Sequence, residues 1–248
     1  EAQVRISIPQ VPAGSALIVK MSRSSPGRYA THEFGKNVYN VKAFNSKGLA
    51  LKINQIGRDI YQIALPDSIV KISYTVFGNW VDGTYLAIDE THAHMNMPAT
   101  FMWVKGMDNR EIEITFNDLS KYGWQVATQL KSTKEPNKFS APNFQYFMDS
   151  PTELSAFKTF TWKEANTDTT FQTLRLVVHS SDDQSVVDSF GNMIQRVTTE
   201  AKAVYGKLPS FDYGVYTFLQ DIHPENEGDG MEHRNSTIIT DDADKIEG

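Results

Sequence analysis

Along the first two-thirds of the chain, apolar and polar residues alternate in short runs. "VRISIP", "ALIVKMS", "VYNVKAF", "IYQIALP", "VKISYTVFG", "FMWVKG" and "EIEITF" are rich in Val, Ile, Phe and Tyr. Several place the apolar residue at every second position, the period of a half-buried strand. Pro, Gly, Asn and Asp interrupt the runs at short intervals, as in sandwiches and barrels. "SKGLAL" and "GNWVDG" carry turn chemistry, with Gly where a positive φ is needed. The pattern predicts an all-β domain, a sandwich or a barrel, over residues 1–166.

The period changes near Thr167. "FQTLRLVVHS" reads as one continuous strand, and "DDQSVVDSFGNMIQRVTTEAKAVYGKLP" reads as a helix. Val186, Val187, Phe190, Met193, Ile194, Val197, Ala201 and Val204 recur at spacings of three and four and form one apolar stripe. Asp182 or Asp183 caps its start, and Gly206 followed by Pro209 ends it. "YGVYTFLQDI" is a further strand and "NSTIIT" another. A strand–helix–strand unit of this size cannot bury both faces of its sheet. Residues 167–248 therefore read as the opening of an α+β domain, a mixed sheet with one long helix, and the chain as mainly β.

Composition narrows the function classes. The 248 residues are 40% hydrophobic and 22% charged, ordinary for a globular protein, with a formal net charge of -6. Net negative charge argues against nucleic acid and anionic membranes as partners. No apolar run approaches the roughly 18 residues of a spanning helix. The chain has no cysteine, which removes disulfides, thiolate metal sites and cysteine nucleophiles. It begins with Glu1-Ala2-Gln3 rather than Met. A removed signal peptide or a cloning boundary would each explain that, and the expectation is a processed, exported protein (periplasmic, cell-envelope or secreted).

Four stretches carry possible chemistry. In His92-Ala93-His94 the residues at i and i+2 of a strand share a face, so both imidazoles could meet one metal, with Asp89 or Glu90 as a third ligand. The competing reading is a polar strand entry with both rings hydrogen-bonded. His32-Glu33 starts like the zinc motif His-Glu-x-x-His, but its fifth position is Lys36, and Gly35 with Asn37 argues for a loop. In "NFQYFMDSPTEL" the Asp149-Ser150-Pro151 step favours a turn or helix start, with Glu153 in the first turn, a short capped helix on the sandwich. "GMEHRNST" packs Glu232, His233 and Arg234 side by side after a Gly-rich approach. Such an approach lets backbone groups pair with an extended peptide, Glu232 could bind an α-amino group, and His233 and Arg234 a carbonyl or carboxylate. On residue chemistry alone a charged surface turn is the simpler account. Gly-x-Gly-x-x-Gly, P-loop and Gly-x-Ser-x-Gly motifs are absent, which removes the usual support for nucleotide and serine-hydrolase readings.

Three of these stretches resemble, in order, segments of the glycyl aminopeptidase family of zinc metallopeptidases, peptidase family sixty-one. "GMEHRNST" resembles its Gly-Leu-Glu-His-Arg-Asn-Ser-Thr segment. "ISYTVFG" with "AIDETHAHMNMPATFMWV" is similar to its Asp-x-x-His-Ala-His-x-Asn region, and "NFQYFMDSPTEL" to its Asp-Ser-Pro-x-Glu segment. Together they cover most of Ile72 to Thr240. The resemblance implies an amino-terminal β-sandwich, a thermolysin-like catalytic domain beginning within Phe171 to Thr240, and then a PDZ domain. It implies zinc in the full-length enzyme, held by ligands beyond Gly248, so this chain is expected to hold no metal, to contain no catalytic residue and to be inactive alone. By the same resemblance Gly230, Met231, Glu232 and His233 line the substrate cleft. Gly230 and Met231 would offer backbone contacts and Glu232 would hold the free N-terminus of a peptide. His92 and His94 fall in the amino-terminal domain, away from the zinc. The implied activity is release of small N-terminal residues, Gly or Ala. The alternative is a stand-alone secreted β-sandwich that binds carbohydrate or protein through Trp80, Trp103, Trp124 or Trp162, although most of these read more simply as packing residues.

Overall fold

A computed structural model describes residues 1–12, 14, 16–25, 27–64, 68–166 and 170–246. Two four-stranded antiparallel sheets form the first layers. One runs in the order Ala2–Pro9, Ile69–Val76, Val38–Phe44, Ala50–Leu51, the other Trp103–Val104, Leu17–Lys20, Ile60–Ile63, Ile53–Gly57. The alternation seen in sequence sorts the faces. Val4 and Ile8 of the first strand turn inward to meet Leu17, Val19, Ile63, Ile72 and Tyr74, while Arg5 and Ser7 face out. A three-stranded sheet (Ile112–Thr115, Lys138–Ala141, Lys131–Ser132) and a further four-stranded one extend this unit. The latter runs Gln125–Thr128, Thr152–Ser155, His92–Met95, Leu86–Ile88. The chain is mainly β, as the pattern predicts. Among the described residues no helix is long and apolar enough to cross a membrane.

The second unit is one five-stranded sheet in the order Lys158–Ala165, Phe171–His179, Val215–Ile222, Ser236–Asp241, Asp229–Glu232. The three inner strands are parallel and the two outer ones antiparallel to their neighbours. A parallel pair needs a long crossover, which the helix Gln184–Tyr205 supplies between the second and third strands. The strand Lys158–Ala165 pairs along its whole length with Phe171–His179, so by sheet membership it belongs to this unit. The boundary read from sequence falls beside Thr167, which lies outside the described residues.

Two local expectations are corrected. In "NFQYFMDSPTEL" the helix precedes Asp149-Ser150-Pro151 instead of following it. Asn143 caps Phe144–Met148, its Oδ1 accepting from Tyr146 N at 2.9 Å, and Pro151 lies just past the end, where it cannot continue the helix. Glu153 is thereby placed on a buried strand, not in a first turn. The long helix begins after Asp183 and ends at Gly206 (φ 83°) as expected, but Asp183 makes no side-chain cap bond. Only the start of its apolar stripe is covered. Val187 is fully buried and Gly191 lies flush on Phe160, whereas Met193, Val197 and Val204 are exposed.

The two units share an apolar seam. Ala127 of the amino-terminal unit packs with Val177, Leu219 and Ile238 of the five-stranded sheet, each at most 2% exposed. Burying such side chains contributes about 1.5–3 kcal/mol apiece for Val, Leu and Ile. Arg175 lies in the same seam, donating to Thr128 O and Thr217 Oγ1, and burial lowers its pKa.

Candidate functional site: an open sheet edge moored to the amino-terminal unit

"GMEHRNST" folds as a hairpin. Asp229–Glu232 is the edge strand, His233 to Asn235 the turn, and Ser236–Asp241 the return strand. The register fixes which backbone groups face outward. His233 N donates to Ser236 O at 2.8 Å, and hydrogen-bonded pairs alternate along an antiparallel ladder. Met231, opposite Ile238, is therefore bonded inward, while Gly230 and Glu232 turn their N–H and C=O groups to the outer side. Among the described residues no strand pairs with that side. A Cβ on Gly230 would approach nothing closer than Ile238 O at 4.0 Å, so the edge is open there.

Side chains alternate likewise. Met231 is buried against the amino-terminal unit, and Glu232 is exposed on the opposite face of the sheet. On that face its neighbours Thr237, Phe218 and Tyr216 are only half-buried, because the long helix packs at the far edge, over Lys158–Ala165. Burial, reinforced by the Glu232 charge, pushes the Tyr216 hydroxyl up to about 12.

The rest of the motif is an anchor. His233 Nδ1 donates to Asp149 Oδ1 at 2.9 Å, and Arg234 N donates to Asp149 Oδ2 at 3.0 Å. Gln129 Oε1 accepts from Asn235 N and Ser236 Oγ, both at 2.8 Å. Arg234 also pairs with Asp212, whose carboxyl it holds below the usual carboxylate range. At the strand's other end Asp229 pairs with Arg28 and accepts from Gly83 N at 2.8 Å. Gly83 is required for space and not for a positive φ. A Cβ there would lie 2.7 Å from Asp229 Oδ2 and 3.0 Å from Met231 Cβ. The structure thus brings Gly230, Met231 and Glu232 together along one edge, and places the His233 side chain, 3% exposed, against Asp149 instead of that edge.

A second group of polar side chains converges inside the seam. His92 and His94 share a face, as their spacing requires, with Glu153 directly across from His94 and Asp221 facing them from the five-stranded sheet. All four side chains are at most 3% exposed. Burial alone would lower both imidazoles, but the facing carboxylates outweigh it: His92 is pushed up to about 11 and His94 is raised. Burial would raise Glu153 and Asp221, yet the histidines hold both low. His179 donates Nδ1 to Asp221 Oδ1 at 2.8 Å and stacks on His92 at 4.1 Å. Asp89 reaches only the outer nitrogen of His92, at 3.4 Å.

Sequence reading missed Gln129, Glu153, His179 and Asp221. The available signal was a carboxylate inside an otherwise apolar strand, in "TELS" and "TFLQDI". His32-Glu33 lies beside the 3-10 turn Phe34–Asn37, where Glu33 pairs with Arg23 and Arg58. Of the tryptophans, Trp162 is buried, Trp103 packs on Phe144, Trp124 on Tyr122, and Trp80 is half-exposed.

Comparison with known proteins gives this arrangement a setting. The model of the Peptidase M61 N-terminal domain matches residues 1–156. No match is found among curated proteins. A solved aminopeptidase N family protein from Idiomarina loihiensis superposes with a TM-score of 0.78 at 21% identity, over 96% of this chain and 39% of that one. Legionella pneumophila aminopeptidase A in complex with aspartic acid superposes with a TM-score of 0.53 at 10% identity, over 96% of this chain and 28% of that one. The likeness is one of fold, and the chain spans well under half the length of either structure.

Proposed function

Because this chain belongs to the peptidase M61 family, we propose that it is the amino-terminal part of a zinc-dependent aminopeptidase that releases Gly or Ala from peptides, and that Asp229–Glu232 lines its substrate cleft. The observation that supports this reading is the open edge, where Gly230 and Glu232 turn their backbone groups outward beside an exposed Glu232 carboxylate. An extended peptide adds to such an edge as a further strand. Glu232 then accepts from the peptide's α-ammonium group, a charge-assisted bond that fixes which residue is first in the cleft. Met231 sets the strand's height by packing into the gap left by Gly27 and Gly83. His233, held by Asp149, keeps the turn in place and acts on substrate only through the strand it positions.

The 248 residues contain no His-Glu-x-x-His sequence, so they do not fit as holders of the catalytic zinc that the family implies. What this chain contributes is the wall that aligns the peptide. The test uses the full-length enzyme. Glu232→Gln should weaken inhibition by a free dipeptide about 10- to 100-fold, the worth of a hydrogen bond to a charged group, and leave inhibition by its N-acetylated form nearly unchanged. Equal losses for both peptides would refute amine recognition by Glu232.

A further inference from the structure

We propose that His94, Glu153 and Asp221 form a metal site, with His92 beside it, that takes one divalent cation of the zinc class and clamps the amino-terminal unit to the five-stranded sheet. Two observations independent of the residue types carry this.

The first is that the inward-facing atoms lack partners. His92 Nδ1, both oxygens of Glu153 and Asp221 Oδ2 are buried without a hydrogen bond. They nevertheless face one another. His92 Nδ1 lies 3.2 Å from Asp221 Oδ2 and 3.5 Å from Glu153 Oε1. His94 Nδ1 lies 3.4 Å from Glu153 Oε2 and 3.7 Å from Asp221 Oδ2. A charge-assisted hydrogen bond would close these gaps to about 2.7–2.9 Å, as His179 does to Asp221 in the same cluster, at 2.8 Å. Donors each about 2.0–2.1 Å from a tetrahedral zinc ion stand roughly 3.4 Å from one another. Donor atoms of His94, Glu153 and Asp221 all lie within 4.8 Å of one another, the spread of donors around one ion, whereas His92 stands beside them with Glu153 and His179.

The second is that the outward-facing atoms are held. His94 Nε2 donates to Asp82 O at 3.1 Å, which leaves the lone pair of Nδ1 aimed inward. His179 fixes the second oxygen of Asp221. Partners of this kind set the tautomer and orientation of metal ligands. Charge agrees with the geometry. Among the described residues no Lys or Arg pairs with Glu153 or Asp221, so two buried carboxylates require two positive charges from within the cluster. One divalent ion supplies both while leaving the imidazoles neutral. An imidazole nitrogen with two carboxylate oxygens suits zinc in preference to the all-oxygen shells of calcium or magnesium.

The test strips the chain with a chelator and titrates it with cobalt(II), which absorbs intensely in the visible when four-coordinate, and then with zinc. One equivalent of cobalt should give that spectrum and one equivalent of zinc should abolish it, with a rise in Tm. Glu153→Gln should lose the bands, His179→Ala, which frees the second oxygen of Asp221, should weaken binding about 10- to 100-fold, and His223→Ala, outside the cluster, should bind as the parent does. A parent chain that binds no cobalt, or gives only the pale six-coordinate spectrum, overturns the proposal and leaves a cluster neutralised by two protons. Retention of the bands by Glu153→Gln also overturns it. Should that variant fail to fold, zinc-edge absorption of the loaded parent decides: one imidazole in an otherwise oxygen shell supports the site, and any other shell refutes it.

Discussion

Replacing Gln129 by Leu tests whether the hairpin's position is imposed by the amino-terminal unit. The side chains are close in volume, so the change removes hydrogen bonds without opening a large cavity. Gln129 Oε1 satisfies Asn235 N and Ser236 Oγ, and its Nε2 donates to Asp149 O and Ser150 Oγ. Asn235 and Ser236 are 2% and 0% exposed, so water does not replace the lost acceptor. Each orphaned buried donor costs about 1–3 kcal/mol, or about 2–6 kcal/mol for the pair. The apolar surface of Leu returns about 1–2 kcal/mol of that, and the net expectation is a loss of about 3 kcal/mol. With a urea dependence near 3 kcal/mol per molar, the unfolding midpoint followed by tryptophan fluorescence should fall by about 1 M. Amide exchange at Asn235 should speed up at the same time. A stability change under about 0.5 kcal/mol with unchanged exchange at Asn235 would show that the turn is held by something else.

Gly191→Ala sets two effects of opposite sign against each other. Helix propensity favours Ala by about 1 kcal/mol, but the new Cβ would lie 2.3 Å from Phe160 Cγ, and overpacking costs about 1–3 kcal/mol. A net loss near 1 kcal/mol in urea unfolding is expected, and a gain would disprove the close approach. Gly83→Ala should lower Tm and, in the full-length enzyme, raise KM more than it lowers kcat, because it displaces Asp229 and Met231; wild-type values for all three would refute that coupling. Alkaline stability should fall as pH rises from about 10, where tyrosines of the unfolded chain ionise, towards 12. Burial raises the Tyr216 hydroxyl to about 12 and raises Tyr61 and Tyr74 as well. The unfolded state therefore binds fewer protons than the native one in that range, and stability present below pH 10 is lost above it. An unfolding midpoint that stays flat to pH 11.5 would contradict this.

The strands and the long helix were legible because hydrophobic period is a local property. "VRISIP" alternates and buries Val4 and Ile8, and the Gln184–Tyr205 helix ends on Gly206. The extent of helix burial was not legible, since Val187 and Val197 look alike in the sequence and differ only in what lies opposite. The edge strand was found through its Gly-rich approach and its family resemblance. Which of its residues point outward depends on the register set by Ser236, a partner across the turn. The buried cluster was half-visible. His92 and His94 announced themselves by spacing, but Glu153 and Asp221 arrive from strands 61 and 129 residues beyond His92, and no local pattern reports such distant neighbours.

The mooring of the hairpin constrains how domains of this family can be exchanged. A chimera that takes its amino-terminal sandwich from a relative would carry an intact "GMEHRNST" and still lay its edge strand askew. Gln129, Asp149, Arg28 and Gly83 belong to the donor sequence but hold the recipient's strand. Transplants that move these four positions together with the hairpin should preserve the position of the open edge. Those that split them should yield folded chimeras with a misregistered edge.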